Sequence, residues 1–269
     1  MKKIFQQNKF TVFFALGIIL VVAIFLLVWF NRSPSSEYIL EPEDAVGLPA
    51  GVLAGEREPT EEEIEAWLSS LPWTMSFRSV DELLWLHYLL DGDEDTFLEF
   101  LHTTGDGGHQ LRTREDALAL FAALGQAYLP IDTNWSGLVY DNSKREISII
   151  YFDEGFVYSI NICLDEEHFY SFIQPYEEAG REFIDITNEL ASRPRGEQIV
   201  DSSFRVGNGV QVTSLGDEPE SETHTFTLNI NDINMWMLFV NAPGKSTVFE
   251  ILANLEFARG MSAWEVTSY

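Results

Sequence analysis

The chain has 269 residues, 46% hydrophobic and 13% aromatic, with only 18 Gly and 10 Pro, which excludes a disordered or collagen-like polymer. Its 43 acidic residues face 16 Lys and Arg, a formal charge of −27, and such a chain is repelled by nucleic acid, which is not expected as a partner. A single Cys excludes an internal disulfide and a Cys-rich zinc site.

Residues 11–30, TVFFALGIILVVAIFLLVWF, run without a charge, and at 1.5 Å per residue this length spans a hydrocarbon core of about 30 Å. Phe13 and Phe14 mark one end, Trp29 and Phe30 the other, where rings suit the membrane interface. Lys2, Lys3 and Lys9 precede the segment and only Arg32 follows it closely, so the positive-inside rule keeps the N-terminus in the cytoplasm. The sequence thus predicts a single-pass plasma-membrane protein that meets the lipid bilayer through residues 11–30, with everything after them extracytoplasmic. The alternative is a cleaved signal peptide, with Ser33 and Ser35 at cleavage spacing, but its apolar region usually runs only about 7–15 residues. All 43 acidic residues lie beyond the segment with 13 of the 16 basic ones, so the exported part carries −30.

Residues 31–59 contain SPSS, EPED, GLPAG and GEREP, a mixture that reads as an extracellular linker. The acidic globular domain is expected over 60–269. Its first part, about 60–128, reads as helical. TEEE at residues 60–63 fits a capping box before Ile64, Trp67, Leu68 and Leu71, and SVDE at 79–82 repeats the pattern before LLWLHYLL. Phe97, Leu98, Phe100 and Leu101 suggest a third short helix. Thr113 caps a fourth, carrying Leu118, Leu120, Phe121 and Leu124 and ending near Gly125.

From about residue 136 to 269 alternating runs replace the helical period. GLVY, DNSKR and REISIIY make a hairpin, and DEG at 153–155 turns into FVYSINICL, whose Phe156, Tyr158, Ile160, Ile162 and Leu164 share one face. Phe169 to Ile173 reads as an edge strand stopped by Pro175, and residues 177–192 as a helix burying Phe183, Ile184 and Ile186. Strands follow at EQIVD, at FRVGNGVQVTSL with its GNG turn, at THTFTLNI and at NMWMLFVN. The last lacks polar alternation, so it is expected to be central and buried on both faces. STVFEILANLEF supplies a closing helix. The class is α+β. Two successive strands-plus-helix units raise the idea of a duplication, resting on element order alone.

For chemistry, Asp91, Asp93 and Asp95 match the first positions of an oxygen-rich calcium loop, and Glu99 the ninth. Thr96 and His102 fill the positions that need Gly and a bidentate Glu, so an acidic helix start is the plainer reading. The histidines at 87, 102, 109, 168 and 224 form no metal-ligand spacing, and no cofactor is implied. His87 and His224 are expected as structural groups, and His109 in a flexible Gly-rich loop. DEEH at 165–168 reads as an acidic turn. Cys163 with His168 suggests a thiol nucleophile, yet the neighbouring acids raise a thiol pKa, so a small packed residue is expected there. Asn134-Trp135-Ser136 fits a glycosylation sequon. Trp67, Trp85 and Trp236 are expected in the core. Trp73, Trp135 and Trp264 fall in loops or the tail, where the expectation is scattered and half-buried rings, with a joint exposed contact surface as the alternative. Together these features predict an anchored extracytoplasmic binding, sensing or envelope-assembly module, its acidic field selecting a cationic protein or peptide. The alternative is a membrane-anchored hydrolase with an unrecognised site built around His168 or His109.

Overall fold

The computed structural model describes residues 57–60, 62–63, 73–93, 95–97, 113–153, 155–197, 200–216 and 222–265. The chain divides into two compact units, Met1–Leu71 and Pro72–Tyr269. In the first, Thr60 N–H donates to Glu63 Oε2 (2.9 Å) and Glu63 N–H to Thr60 Oγ1 (3.3 Å), the reciprocal box expected from TEEE. Arg57 and then the Thr60 N–H hold the Glu63 carboxyl down at about 2. Residues 11–30, the linker up to residue 56, and Ile64, Trp67, Leu68 and Leu71 lie outside the described residues. Among the described residues no helix is long and apolar enough to cross a membrane.

The second unit is α+β, a large sheet with helices. It begins with a strand that the helical reading missed, β1 (Thr74–Phe77), followed by α1 (Val80–Leu90) and α2 (Arg114–Gln126). Both helices start where expected: Ser79 accepts from Glu82 N–H, and Thr113 and Asp116 form a full capping box. Helix α1 buries Leu83, Leu86, Leu89 and Leu90, which leaves Trp85 (53% exposed) and His87 on the outer side. Trp85 is thus not the core residue the sequence suggests, because LLWLHYLL is apolar almost all round and cannot say which face turns inward. Leu118 of α2 is likewise exposed, while Leu120 and Leu124 are buried. A helical turn at 95–97 buries Phe97; Leu98, Phe100 and Leu101 lie outside the described residues.

Then come β2 (Tyr128–Pro130), β3 (Gly137–Asp141), β4 (Glu146–Asp153) and β5 (Phe156–Cys163), the last three forming the expected meander. Next are α3 (Glu166–Glu178), β6 (Ile184–Asp185), α4 (Thr187–Ala191), β7 (Phe204–Val206) and β8 (Gly209–Ser214). The chain continues through β9 (His224–Ile230), β10 (Ile233–Val240), α5 (Lys245–Asn254), β11 (Glu256–Arg259) and α6 (Ser262–Glu265). The sheet order is β1-β3-β4-β5-β10-β9-β8-β7-β11-β2, with β6 beside β8. Every pairing is antiparallel except β7 with β8, which run parallel across the expected GNG turn. Gly207 sits there at φ +83°, and a Cβ on it would meet the Ala191 Cβ at 2.5 Å, so only Gly fits.

Three expected boundaries are corrected. Residues 169–173 are helix, because Asp165 caps α3 by accepting from Glu167 and His168 N–H, and the helix continues through Pro175 to Glu178. Gly180 at φ +66° follows the end of that helix, so the predicted helix over 177–192 straddles a stop; Ile184 is exposed in β6 and only Ile186 is buried. The closing helix ends at Asn254, and 256–259 pair with β7 and β2. In EQIVD, the described Glu197, Val200 and Asp201 are not strand.

One face of the sheet carries Met75, Phe77, Leu138, Ile147, Ile149, Ile160, Ile162, Phe226, Leu228, Met235, Met237 and Phe239, all buried in one core with the inner sides of α1, α2 and α5. Strand β10 is central, as expected, but alternates: Met235, Met237 and Phe239 are buried, whereas Trp236, Leu238 and Val240 on the other face are half-buried. On that second face α3 lies over β5 and β10, with Phe172 stacked on Trp236 at 4.1 Å. Trp73, Trp135 and Trp264 are all buried, so they form no exposed surface; Trp135 and Trp264 pack together at 5.9 Å.

The order β3-β4-β5-β10-β9-β8 is what a two-fold axis normal to the sheet would generate from two meanders. Such an axis keeps both following helices on one face. Helix α3 instead covers the Trp236 face, while Phe249 of α5 packs edge-on to Phe226 of the core face, so the helices do not obey the duplication.

Candidate functional site

The sequence-nominated groups separate in space. Asp91 ends α1, and Asp93 caps the turn at 95–97 by accepting from the Thr96 N–H (2.8 Å) and hydroxyl (3.0 Å), bonds that lower its pKa. This is the acidic helix start. Among the described residues Asp91, Asp93 and Asp95 form no converging ligand set, and Glu99 lies outside them. His87 is exposed with its ring edge-on to Phe121, His224 is buried on the core face of β9, and His102 and His109 lie outside the described residues. Asn134 is exposed, its N–H bonded to Asp132 Oδ1.

Cys163 and His168 do meet, through a residue the sequence reading passed over. Glu146 opens β4 directly opposite Cys163 on β5, and His168 follows in the first turn of α3. Glu146 Oε2 accepts from Trp236 Nε1 (3.0 Å) and from the Cys163 thiol (3.6 Å), and lies 3.2 Å from His168 Nε2. Burial, and then the Glu146 carboxylate, push the Cys163 thiol well above its ordinary value. A thiol so placed is a poor nucleophile at neutral pH, as the neighbouring acids led one to expect. The juxtaposition was legible in principle: counting back along both strands from the Asp153–Phe156 pair at the turn arrives at Glu146 and Cys163.

The other candidate is a cleft of about 730 Å³, within the size range of ligand sites. One wall is the segment after β2, with Ile131, Asp132 and Asn134; opposite are Glu197 and the α5 residues Glu250, Ile251 and Asn254. Asn254 holds the two parts of that wall together, accepting from Gly196 N–H at 3.0 Å and donating to Glu250 O at 2.9 Å. Asp153, Tyr158, Leu255, Arg205 and Glu256 also line it. Arg205 of β7 and Glu256 of β11 face each other in register and are both buried. The guanidinium donates from Nε (2.9 Å) and Nη2 (2.5 Å) to Glu256 Oε2, and to the carbonyls of Gly196 and Glu197. Ser203 Oγ donates to the other Glu256 oxygen.

The cleft is therefore negative. It has Asp132, Asp153, Glu197, Glu250 and Glu256 against one cation already bonded to Glu256. The field registers on nearby phenols: burial first, and then Asp132 and Asp153, push Tyr158 well above its ordinary value, and burial followed by Asp132 does the same to Tyr151. The faces of the Tyr158 ring are stacked on Tyr151 (4.6 Å) and Phe239 (5.2 Å), which leaves its edge for the cleft. None of these acids stands in a motif, and they come from five separate segments, so periodicity and spacing had no means of collecting them. Compared with protein-family models, with curated proteins and with solved structures, the chain shows no match.

Proposed function

We propose that this protein is a single-pass, N-in membrane protein whose exported α+β domain is a binding module for a cationic protein or peptide, with Lys or Arg side chains entering the acidic cleft. The observation that carries the reading is the cleft: Asp132, Asp153, Glu197 and Glu250 line it, the one cation among its described lining residues, Arg205, is already paired with Glu256, and Ile131, Ile251 and Leu255 supply apolar wall. That combination suits a basic side chain, whose aliphatic stem packs on apolar surface while its head meets carboxylates. The charge of −30 beyond residue 30 adds long-range steering of a cationic partner. The membrane part of the proposal rests on the charge-free run of residues 11–30 and the three lysines before it.

Titrating the full-length protein with a hexalysine peptide tests the cleft. Saturable one-to-one binding is expected, weakening markedly between about 0.05 M and about 0.5 M salt as charges are screened. Changing Asp132→Asn together with Glu250→Gln should lower affinity at least about tenfold, a loss of about 1.4 kcal/mol. Changing Glu177→Gln together with Glu182→Gln alters net charge equally at exposed positions off the cleft, and affinity should stay within about twofold. Equal losses from the two pairs would mean that net charge, not the cleft, does the binding. Separately, deletion of residues 1–30 should move the protein from the membrane to the soluble fraction; firm membrane association of the shortened chain would refute the anchor.

A further inference from the structure

Glu146 and the cleft acid Asp153 stand at the two ends of β4, about 23 Å of strand apart, so the cluster around Glu146 is a separate feature from the proposed binding site. We infer that Glu146, Cys163 and His168 form a zinc-class metal site with three protein ligands. The ligand atoms, Glu146 Oε2, Cys163 Sγ and His168 Nε2, all lie within 4.8 Å of one another, and among the described residues no other set of His, Cys, Asp or Glu converges in this way.

The two separations from Glu146 are those of tetrahedral ligands. With Zn–O and Zn–N bonds near 2.0 Å and Zn–S near 2.3 Å, two ligands at a tetrahedral angle stand about 3.3 Å apart for O and N and about 3.5 Å for O and S. The observed separations are 3.2 Å for Glu146 to His168 and 3.6 Å for Glu146 to Cys163. The imidazole, thiolate and carboxylate together are the donor mix that a borderline ion such as Zn(II) accepts, whereas calcium and magnesium take oxygen.

The frame around the ligands is rigid. Glu146 and Cys163 are direct cross-strand partners in the sheet interior, and His168 is fixed in the first turn of α3, whose cap is the Asp165 side chain. Trp236 Nε1 donates to Glu146 Oε2 at 3.0 Å and also interacts with Cys163, and Phe172 of α3 stacks on the same indole, so this donor holds the carboxylate in place as outer-shell donors hold metal ligands. Glu146 and Cys163 are buried while His168 is partly open, so an ion would enter past the imidazole, with a fourth coordination position left for water. A bound ion would also staple α3 to β4 and β5.

The chain has one Cys, which makes cobalt a decisive probe. Full-length protein stripped with a chelator is titrated with Co(II), and a thiolate-to-cobalt charge-transfer band can arise from Cys163 alone. The expected result is one Co(II) per chain, that band with the intensity of one thiolate, visible bands of tetrahedral strength, and stoichiometric bleaching by Zn(II). Cys163→Ser should abolish the charge-transfer band. Glu146→Gln and His168→Gln should each weaken Co(II) binding at least about 100-fold, and Trp236→Phe about tenfold through the outer shell. Circular dichroism of each variant confirms that it is folded. No thiolate band on the folded wild-type protein would overturn the assignment. So would a band whose affinity is unchanged by Glu146→Gln and His168→Gln, or half an ion per chain with two thiolates, which would place the ion between two copies.

Discussion

Glu256→Gln is expected to cost about 3–5 kcal/mol of folding stability, because it leaves the buried Arg205 guanidinium without its counter-ion. The two side chains are among the few buried charges described in the protein, and they bridge neighbouring strands β7 and β11 in register. Arg205 also holds the carbonyls of Gly196 and Glu197, so the damage should spread into the wall of the cleft. The midpoint of thermal unfolding should fall by roughly 6–20 °C. The double change Arg205→Met with Glu256→Leu removes both charges at once and is expected to restore much of the loss, since an apolar pair avoids the desolvation that the ions suffer. Urea unfolding of the full-length protein measures all three proteins. A single-variant loss under about 1 kcal/mol would show that the pair is wetter or looser than its geometry.

Trp264→Ala should be comparably damaging, at about 3–5 kcal/mol. Its ring is 1% exposed, packs against Trp135 at 5.9 Å, and donates from Nε1 to the Pro130 carbonyl at 2.6 Å. It thereby fastens α6 to the end of β2, beside the cleft wall. Trp264→Phe keeps most of the apolar volume and loses the donor, so about 1–3 kcal/mol of the effect should remain, the cost of a buried carbonyl deprived of that bond. The same urea experiment decides it: an alanine variant as stable as wild type would mean that the C-terminal segment contributes little to the core.

Trp264 also shows where sequence reasoning reached its limit. By position it belongs to a tail, where local pattern leads one to expect a half-buried ring; the return of the chain to β2 buries it fully. Trp85 fails in the opposite sense, an aromatic in an apolar run that ends up outside. In α1 the helix itself was legible from Ser79 and the leucines, but its inward face was settled by what it packs against. The hairpin and the meander of β3, β4 and β5 were legible because turn residues and strict alternation are local properties. Residues 169–173 were misread since Pro175 signals a break, yet the cap at Asp165 is strong enough to set a helix that runs past it.

The sequence by itself determined the acidic character of the chain, its single thiol, the charge-free run at 11–30, the α+β class, and the starts of α1, α2 and α5. These follow from composition, caps and periods, which act over a few residues. The tertiary structure alone decided that Arg205 meets Glu256 across 51 positions and that Trp236 reaches Glu146 across 90. It likewise decided which acids line one cleft. Burying a charge or an indole N–H is favourable only when a partner stands at bonding distance, and strand order and register, not neighbouring sequence, supply that partner.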